Sequence, residues 1–445
     1  MQRGIERGPL TLTLAMSLVL ITGSMQVTAD EPGIKPTSLR IEPLTLKTGK
    51  GSALPNLTRG IDGSVLITWV EPVPDGKGNR LRLATLSEEG WSEPVTAAQG
   101  TGWFVNWADF PSAAVLADGT IAVHWLGRIS EETYAYGVNV SISRDQGKSW
   151  SAPIIPHRDS SPTEHGFVAL RSMGDRFYLA WLDGRAMVGG SGKPMTLRST
   201  TISADGTRGT DRLLDDRVCD CCPLDAVVQG EQITLVYRDR DHLDVRDISW
   251  MKLSTEDITD TGLVHEDGWV QEGCPVNGPA IAISGEDRAV SWFTGVDRVL
   301  DQPAPEGAVL VKSLNSSDEK SIPIRIDDGR PIGRVDLTGL EDGTFLVCWL
   351  ERKGEGAEVR VRRWRRVPAA ASEDSSRNRI WSSHRVGKTS PGRRSGYPRI
   401  ISSGSGSAVV AWTETGVEGG TAVRTVRLPA AKEKDPASES SGNRR

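Results

Sequence analysis

The chain has 445 residues, with 53 Lys and Arg against 58 Asp and Glu and a formal net charge of −5. A balance on the acidic side leaves no electrostatic footprint for nucleic acid or an anionic membrane surface, so neither is an expected partner. No apolar run approaches the roughly 20 residues that a membrane helix needs, so no membrane span is predicted.

At the start of the chain, Arg3 and Arg7 precede a short apolar stretch at 10–22, and Val27-Thr28-Ala29 offers a small-residue cleavage site. This is the pattern of a secretory signal peptide at 1–29, which predicts a secreted or periplasmic protein. A lone strand is expected at 38–47. From there one pattern repeats seven times: an apolar stretch, a Gly- or Asp-rich turn, then an alternating strand ending on an aromatic. PSAAVLADGTIAVHWLG and VDLTGLEDGTFLVCWLE are two of the copies. The aromatic ends are Trp69, Trp125, Trp181, Tyr237, Trp292, Trp349 and Trp412, spaced by 56, 56, 56, 55, 57 and 63 residues.

A period that long, filled with strand and turn signals, predicts a radial array. Two further strand candidates lie between copies, at 196–203 and 211–217 after Trp181, for example. Four antiparallel strands per repeat, A to D from the axis outward, make a propeller blade. The expected fold is therefore all-β: a single β-propeller over 30–428 with seven four-stranded blades, or six if one copy is not a blade. The last copy supplies only three strands, the third at 421–428. Pairing 38–47 beside it closes the ring and leaves no free edge. The polar, Pro- and Ser-containing tail at 429–445 is expected to be disordered.

The residues just before the aromatics are mostly small: Thr68, His124, Ala180, Val236, Ser291, Cys348 and Ala411. They point to the opposite face of the strand, so small residues meet bulky ones between neighbouring blades. Cys348 is thus expected to be a buried packing thiol and His124 an interior histidine. The basic run Arg360, Arg362, Arg363, Arg365 and Arg366 around Trp364 reads as an exposed strand.

Strand direction places the D–A connections and B–C loops on one face. Asp109, His165, Cys221, Cys222, Asn277, Arg334 and Tyr397 gather there just before A strands. Glu71, Asp183, Arg185, Asp239, Arg240, Glu351, Arg352 and Glu414 gather there just after the aromatics. An acid two places after the aromatic recurs in five of seven blades, which predicts a structural role. Non-repeating residues are the better ligand candidates, because a pocket needs asymmetry. The segment 237–247, with Asp239 and Arg246, reads either as an inter-blade ion network or as an arginine cluster gripping an anion.

Cys219, Cys221, Cys222 and Cys274 sit at the entrances to successive A strands. In an exported protein the default is a disulfide, here between Cys274 and the 219–222 group. The rival is a thiolate site for copper or zinc, with His165 the one imidazole nearby. The C-x-C-C spacing is not a standard zinc pattern, so no metal and no cofactor are expected.

Ser143-Arg-Asp145-Gln-Gly147-Lys-Ser149-Trp150 matches the Asp-box pattern S-x-D-x-G-x-[ST]-W, and 87–91 and 203–207 look like eroded copies. The chain thus resembles the sialidase-like BNR/Asp-box superfamily of propellers. The resemblance implies a glycan-handling protein whose site lies opposite the Asp-box turns. It offers Tyr397 as nucleophile, Glu414 as its partner and Asp109 as acid/base. Arg185, Arg246 and Arg334 are the clamp on a ligand carboxylate, with Asp239 and His165 as further contacts. The Phe-Arg-Ile-Pro signature of active sialidases is absent. Two functions follow: a monomeric propeller that binds a glycan or protein ligand, and an exo-sialidase-type glycoside hydrolase acting on acidic sugars.

Overall fold

In the computed structural model the described residues are 39–190, 192–254, 257–300, 302–315, 322–366, 378–416 and 420–430. The expected signal at 1–29 and the tail from 431 onward lie outside them. Every aromatic of the repeat falls on the second strand of a blade and is buried. These B strands run Val65–Pro72, Ile121–Arg128, Arg176–Asp183, Gln232–Arg238, Asp287–Thr294, Phe345–Lys353 and Ser407–Thr415. Each pairs antiparallel with an inner strand A and an outer strand C, and the seven sheets together form a seven-bladed propeller. The six-blade alternative is thereby set aside.

Alternation along the B strands explains how the blades stack. Trp412, Val410 and Ala408 of blade 7 pack on Leu346, Cys348 and Leu350 of blade 6. Tyr237, Leu235 and Ile233 of blade 4 pack likewise on Tyr178, Ala180 and Leu182 of blade 3. Trp69 of blade 1 closes the cycle on Val409 and Ala411 of blade 7. An aromatic on one sheet therefore meets the small column of the preceding sheet, and Cys348 is a buried thiol within that packing. Truncating one of these tryptophans to alanine removes roughly 3–5 kcal/mol.

Ring closure follows the expected route but is shorter. Glu42–Leu44 pairs with Thr425–Arg427 as the outermost strand of blade 7. Pro43 sits at this edge, where its missing N–H costs no ladder bond. The Thr425 hydroxyl donates to the Leu44 carbonyl (2.8 Å) and accepts from Trp91 Nε1 (2.9 Å), so blade 1 also holds the seam. In blade 2 the outer position is reduced to a bridge between Val140 and Ile154.

Three inner strands enter through a bulge with a non-glycine residue in the left-handed region: Leu54 (φ 58°), Phe167 (φ 54°) and Arg334 (φ 56°). The freed N–H of each is taken by a side chain of the preceding blade. Thr413 Oγ1 accepts from Leu54 (3.1 Å), Asp109 Oδ2 from Phe167 (2.8 Å) and Asn277 Oδ1 from Arg334 (2.6 Å). Below these clasps, Asp225 and Asp336 on the inner strands accept the N–H groups of Ile281 and Ile400 in the next blades (2.8 Å each). Arg171 and Arg399 pair with these two acids along the axial channel.

The basic strand Gly356–Arg365 is neutralised in place: Arg360 and Arg362 pair with Asp328, and Arg363 lies near Asp342. The turn at 143–150 closes on its own side chains. Asp145 accepts from Ser143 Oγ, Ser149 N and Ser149 Oγ, and Trp150 Nε1 donates to the Gly147 carbonyl.

Candidate functional site

On the face formed by the D–A connections and B–C loops, a cleft of about 890 Å³ is lined from blades 2 to 5 and from the entry to blade 7. One wall is Phe104, Asn106 and Trp107, in the segment before the inner strand of blade 2 (Ser112–Val115). A second is Tyr134 and Tyr136, the latter opening strand C of that blade (Tyr136–Ser143). Thr163, Glu164 and Phe167 come from blade 3, Asp220, Cys221, Cys274 and Val276 from the loops beyond, and Arg393 and Arg394 from the short 3₁₀ turn Arg393–Ser395. Tyr134 is 61% exposed, and both arginines are exposed without an ion pair among the described residues.

Two carboxyl groups, Glu164 in the lining and Asp109 buried behind it, are raised toward neutrality. Burial raises Asp109 to about 7, against the pull of the Phe167 N–H that it accepts. Glu164 rises to about 8 through burial first, then the nearby charges of Asp109, Cys274 and Asp220. Tyr136 sits in the field of both acids, its ring stacked on Phe104 at 3.9 Å between centroids. Gly166 makes the arrangement possible: a Cβ there would lie 2.3 Å from Asp109 Oδ2 and 2.7 Å from the Tyr136 ring. Sites where buried acids are pushed into the neutral range are those where acid–base chemistry is feasible.

The arginine clamp expected from the resemblance is not assembled, because each guanidinium serves a different part of the fold. Arg185 binds Asp183 (2.7 Å) and Asp211 (2.9 Å). Arg246 donates to the Gln271 carbonyl (2.9 Å) and to Cys219 Sγ (3.2 Å). Arg334 donates to the Gly392 and Gly396 carbonyls and to Ser395 Oγ, and lies over the Trp107 ring at 4.4 Å. Tyr397 is buried and its hydroxyl donates to the Val276 carbonyl at 2.8 Å.

The recurring acids serve the tryptophans two residues before them. Trp69, Trp181 and Trp349 donate their indole N–H to Glu71 (3.1 Å), Asp183 (2.7 Å) and Glu351 (2.6 Å). Residues two apart on a strand share a face, which makes this contact available. Asp239 instead accepts from Ser249 Oγ (2.9 Å) and the Arg240 N–H, and Glu414 pairs on the surface with Arg424. His165 is fully buried, stacked on His157 at 4.2 Å and bonded through Nε2 to Asp159 (3.0 Å). Of the expected contacts, the cleft lining holds Cys221 and Cys274, while Asp109 is buried behind it on the Phe167 N–H. The lining adds Glu164, Tyr134, Tyr136, Arg393 and Arg394, which follow no repeat and so gave no signal in the sequence.

The disulfide expected between Cys274 and the 219–222 group is not formed, and all five cysteines are free thiols. Cys219 Sγ lies 3.2 Å from Cys222 Sγ, a thiol contact rather than a bond, since bonded sulfurs stand about 2.05 Å apart. The sulfurs of Cys219, Cys221 and Cys222 all lie within 4.8 Å of one another. Burial pushes the Cys219 thiol up, but contacts from Cys221 and Cys222 and the charge of Arg238 outweigh it and hold the group well below the usual range.

Fold and cleft together define a seven-bladed propeller with a ligand-sized recess on its loop face. The sequence matches no family model and no curated protein. Among solved structures, the chain is similar to an ulvan lyase of polysaccharide lyase family PL25, at 10% identity and TM-score 0.51, over 84% of this chain and 93% of that one. The polysaccharide lyase Uly1 is similar at 10% identity and TM-score 0.50, over 91% and 94% of the two chains. A protein of unknown function from Dyadobacter fermentans shares 13% identity over 90% of this chain and all of that one, at TM-score 0.48. At these identities the likeness shows the fold.

Proposed function

We propose that the protein is an exported propeller that binds an acidic glycan in the loop-face cleft. The observation that carries this reading is the lining of the 890 Å³ recess: aromatic rings at Phe104, Trp107 and Tyr134 beside the exposed Arg393 and Arg394, which make no ion pair among the described residues. Aromatic rings offer flat apolar surface to the C–H faces of sugars. Guanidinium groups match the fork of a uronic or sialic carboxylate. Calorimetry with acidic and neutral oligosaccharides tests the reading. Tyr134→Ala is expected to weaken binding about tenfold, or ~1.4 kcal/mol. Arg394→Ala should cost roughly 1.5–3 kcal/mol with acidic ligands only. A wild-type protein that binds no acidic glycan ends it.

The second reading is acid–base processing of the bound sugar, favoured by Glu164 in the cleft lining and Asp109 buried behind it, both raised by burial into the neutral range. A carboxyl group with its pKa near the working pH is matched to general acid catalysis. Glu164→Gln should then abolish turnover and spare binding. A tyrosine nucleophile at position 397 does not fit this chemistry, because its hydroxyl is spent on the Val276 carbonyl.

A further inference from the structure

We propose that Cys219, Cys221 and Cys222 form a three-sulfur site for a copper(I) ion in the wall of the cleft. Three donors come from one short turn between the outer strand of blade 3 (Arg212–Val218) and the inner strand of blade 4 (Asp225–Gln229). The sulfurs of Cys219 and Cys222 stand 3.2 Å apart, and all three lie within 4.8 Å of one another. Metal–sulfur bonds of about 2.3 Å place sulfurs about 3.8–4.0 Å from one another, so only small side-chain rotations separate the thiol cluster from a metal-bound one.

The turn is held rigidly. A Cβ on Gly278 would lie 2.0 Å from the Pro223 carbonyl oxygen, so the chain after Cys222 packs directly on the loop that follows Cys274. Binding therefore needs little ordering of the ligands.

The charges around the turn give an independent argument. Arg238 and Arg246 are 1% and 2% exposed. Arg238 spends its donors on the carbonyls of Asn277, Arg246 and Phe293 and makes no ion pair among the described residues. Arg246 points Nη1 at Cys219 Sγ (3.2 Å), and its nearest carboxylate oxygen, on Asp244, is 3.8 Å away. Two buried cations need buried negative charge nearby. Three thiolates around a monovalent ion carry a net charge of −2, which these guanidiniums balance.

The donor set is all sulfur, which selects soft ions. Cys274, the fourth cysteine, is exposed on a separate loop and contacts Cys221 but falls outside the three-sulfur cluster, and the guanidinium of Arg246 occupies space beside Cys219. Copper(I) is satisfied by three sulfurs, whereas structural zinc takes four ligands. Cys221 is half-buried and lines the cleft, which gives the ion a way in.

Anaerobic titration of the full chain with copper(I) against a chromogenic chelator tests the assignment, followed by X-ray absorption and alkylation mapping. One ion per chain is expected, with a three-sulfur shell, protecting Cys219, Cys221 and Cys222 from alkylation while Cys274 still reacts. Cys221→Ser should weaken retention at least a hundredfold, and Cys274→Ser less than tenfold. The half-buried Cys221 avoids the folding defect that the buried Cys222 invites, and circular dichroism checks each variant. Loss of copper to the chelator from wild type, retention of zinc(II) in preference to copper(I), or equal loss in the two variants overturns the proposal. Glycan binding is measured separately and decides the cleft reading alone.

Discussion

Replacing Asp109 by asparagine should make the protein more stable at pH 8 and leave it unchanged at pH 4. The carboxyl is raised to about 7 in the fold, against about 3.9 in an unfolded chain. Between those values the unfolded state releases a proton that the folded state keeps. Stability therefore falls as pH rises through that window and levels off above pH 7. Three pH units at 1.36 kcal/mol each put the total near 4 kcal/mol. Asparagine keeps an oxygen for the Phe167 N–H and removes the titration. Chemical denaturation of both proteins from pH 4 to pH 8 measures the difference directly. A difference that is constant across this range refutes the argument, because a lost hydrogen bond carries no such pH signature. The same substitution removes a neighbouring negative charge from Glu164, so the Glu164 carboxyl, near 8 in wild type, should titrate at lower pH by NMR.

Glu351→Gln and Glu414→Gln should separate, although both replace an acid two places after the aromatic. The first weakens a buried acceptor shared by Trp349 Nε1 and the Arg330 N–H and should cost roughly 1–3 kcal/mol in denaturant unfolding. The second touches an exposed pair with Arg424 and should stay within about 0.5 kcal/mol. Thr425→Val removes both bonds that clamp the closing strand; a loss of roughly 1–3 kcal/mol is expected, with faster proteolysis near Leu44. Tyr397→Phe should cost about 1 kcal/mol of stability and leave glycan affinity unchanged, as read by calorimetry.

The ring was legible in the sequence because stacking twisted sheets imposes the same demand seven times. Each blade presents one large aromatic on strand B and, except at His124 in blade 2, a smaller residue before it, and Trp412 against Cys348 shows why. Closure was legible from a strand count alone, though not its length, since Pro43 and the local pairing decide where the ladder stops. The site was much less legible. Arg185, Arg246 and Arg334 attracted attention by their charge, and composition cannot reveal that carbonyls, carboxylates and a thiol already occupy them. Three of the five acids after the aromatics, Glu71, Asp183 and Glu351, are structural as their recurrence suggested, because each accepts from an indole; Asp239 and Glu414 have other partners. Glu164, Tyr134 and Arg394 lie in irregular loops, where no period marks them and only the folded arrangement brings them together. The cysteines were visible, but whether they bridge depends on sulfur distances that the sequence does not contain.

The hydrogen bond from Phe167 to Asp109 crosses the boundary between blades 2 and 3, and the cleft straddles the same boundary. That bond is a gauge of the gap. A ligand that wedges the two blades apart stretches it, admits water to the carboxyl and lowers its pKa, so the proton held near neutrality leaves as the ligand enters. Binding and proton release then become one event. The heat of binding would depend on the ionisation enthalpy of the buffer, and a ligand that fits without parting the blades would show no such dependence.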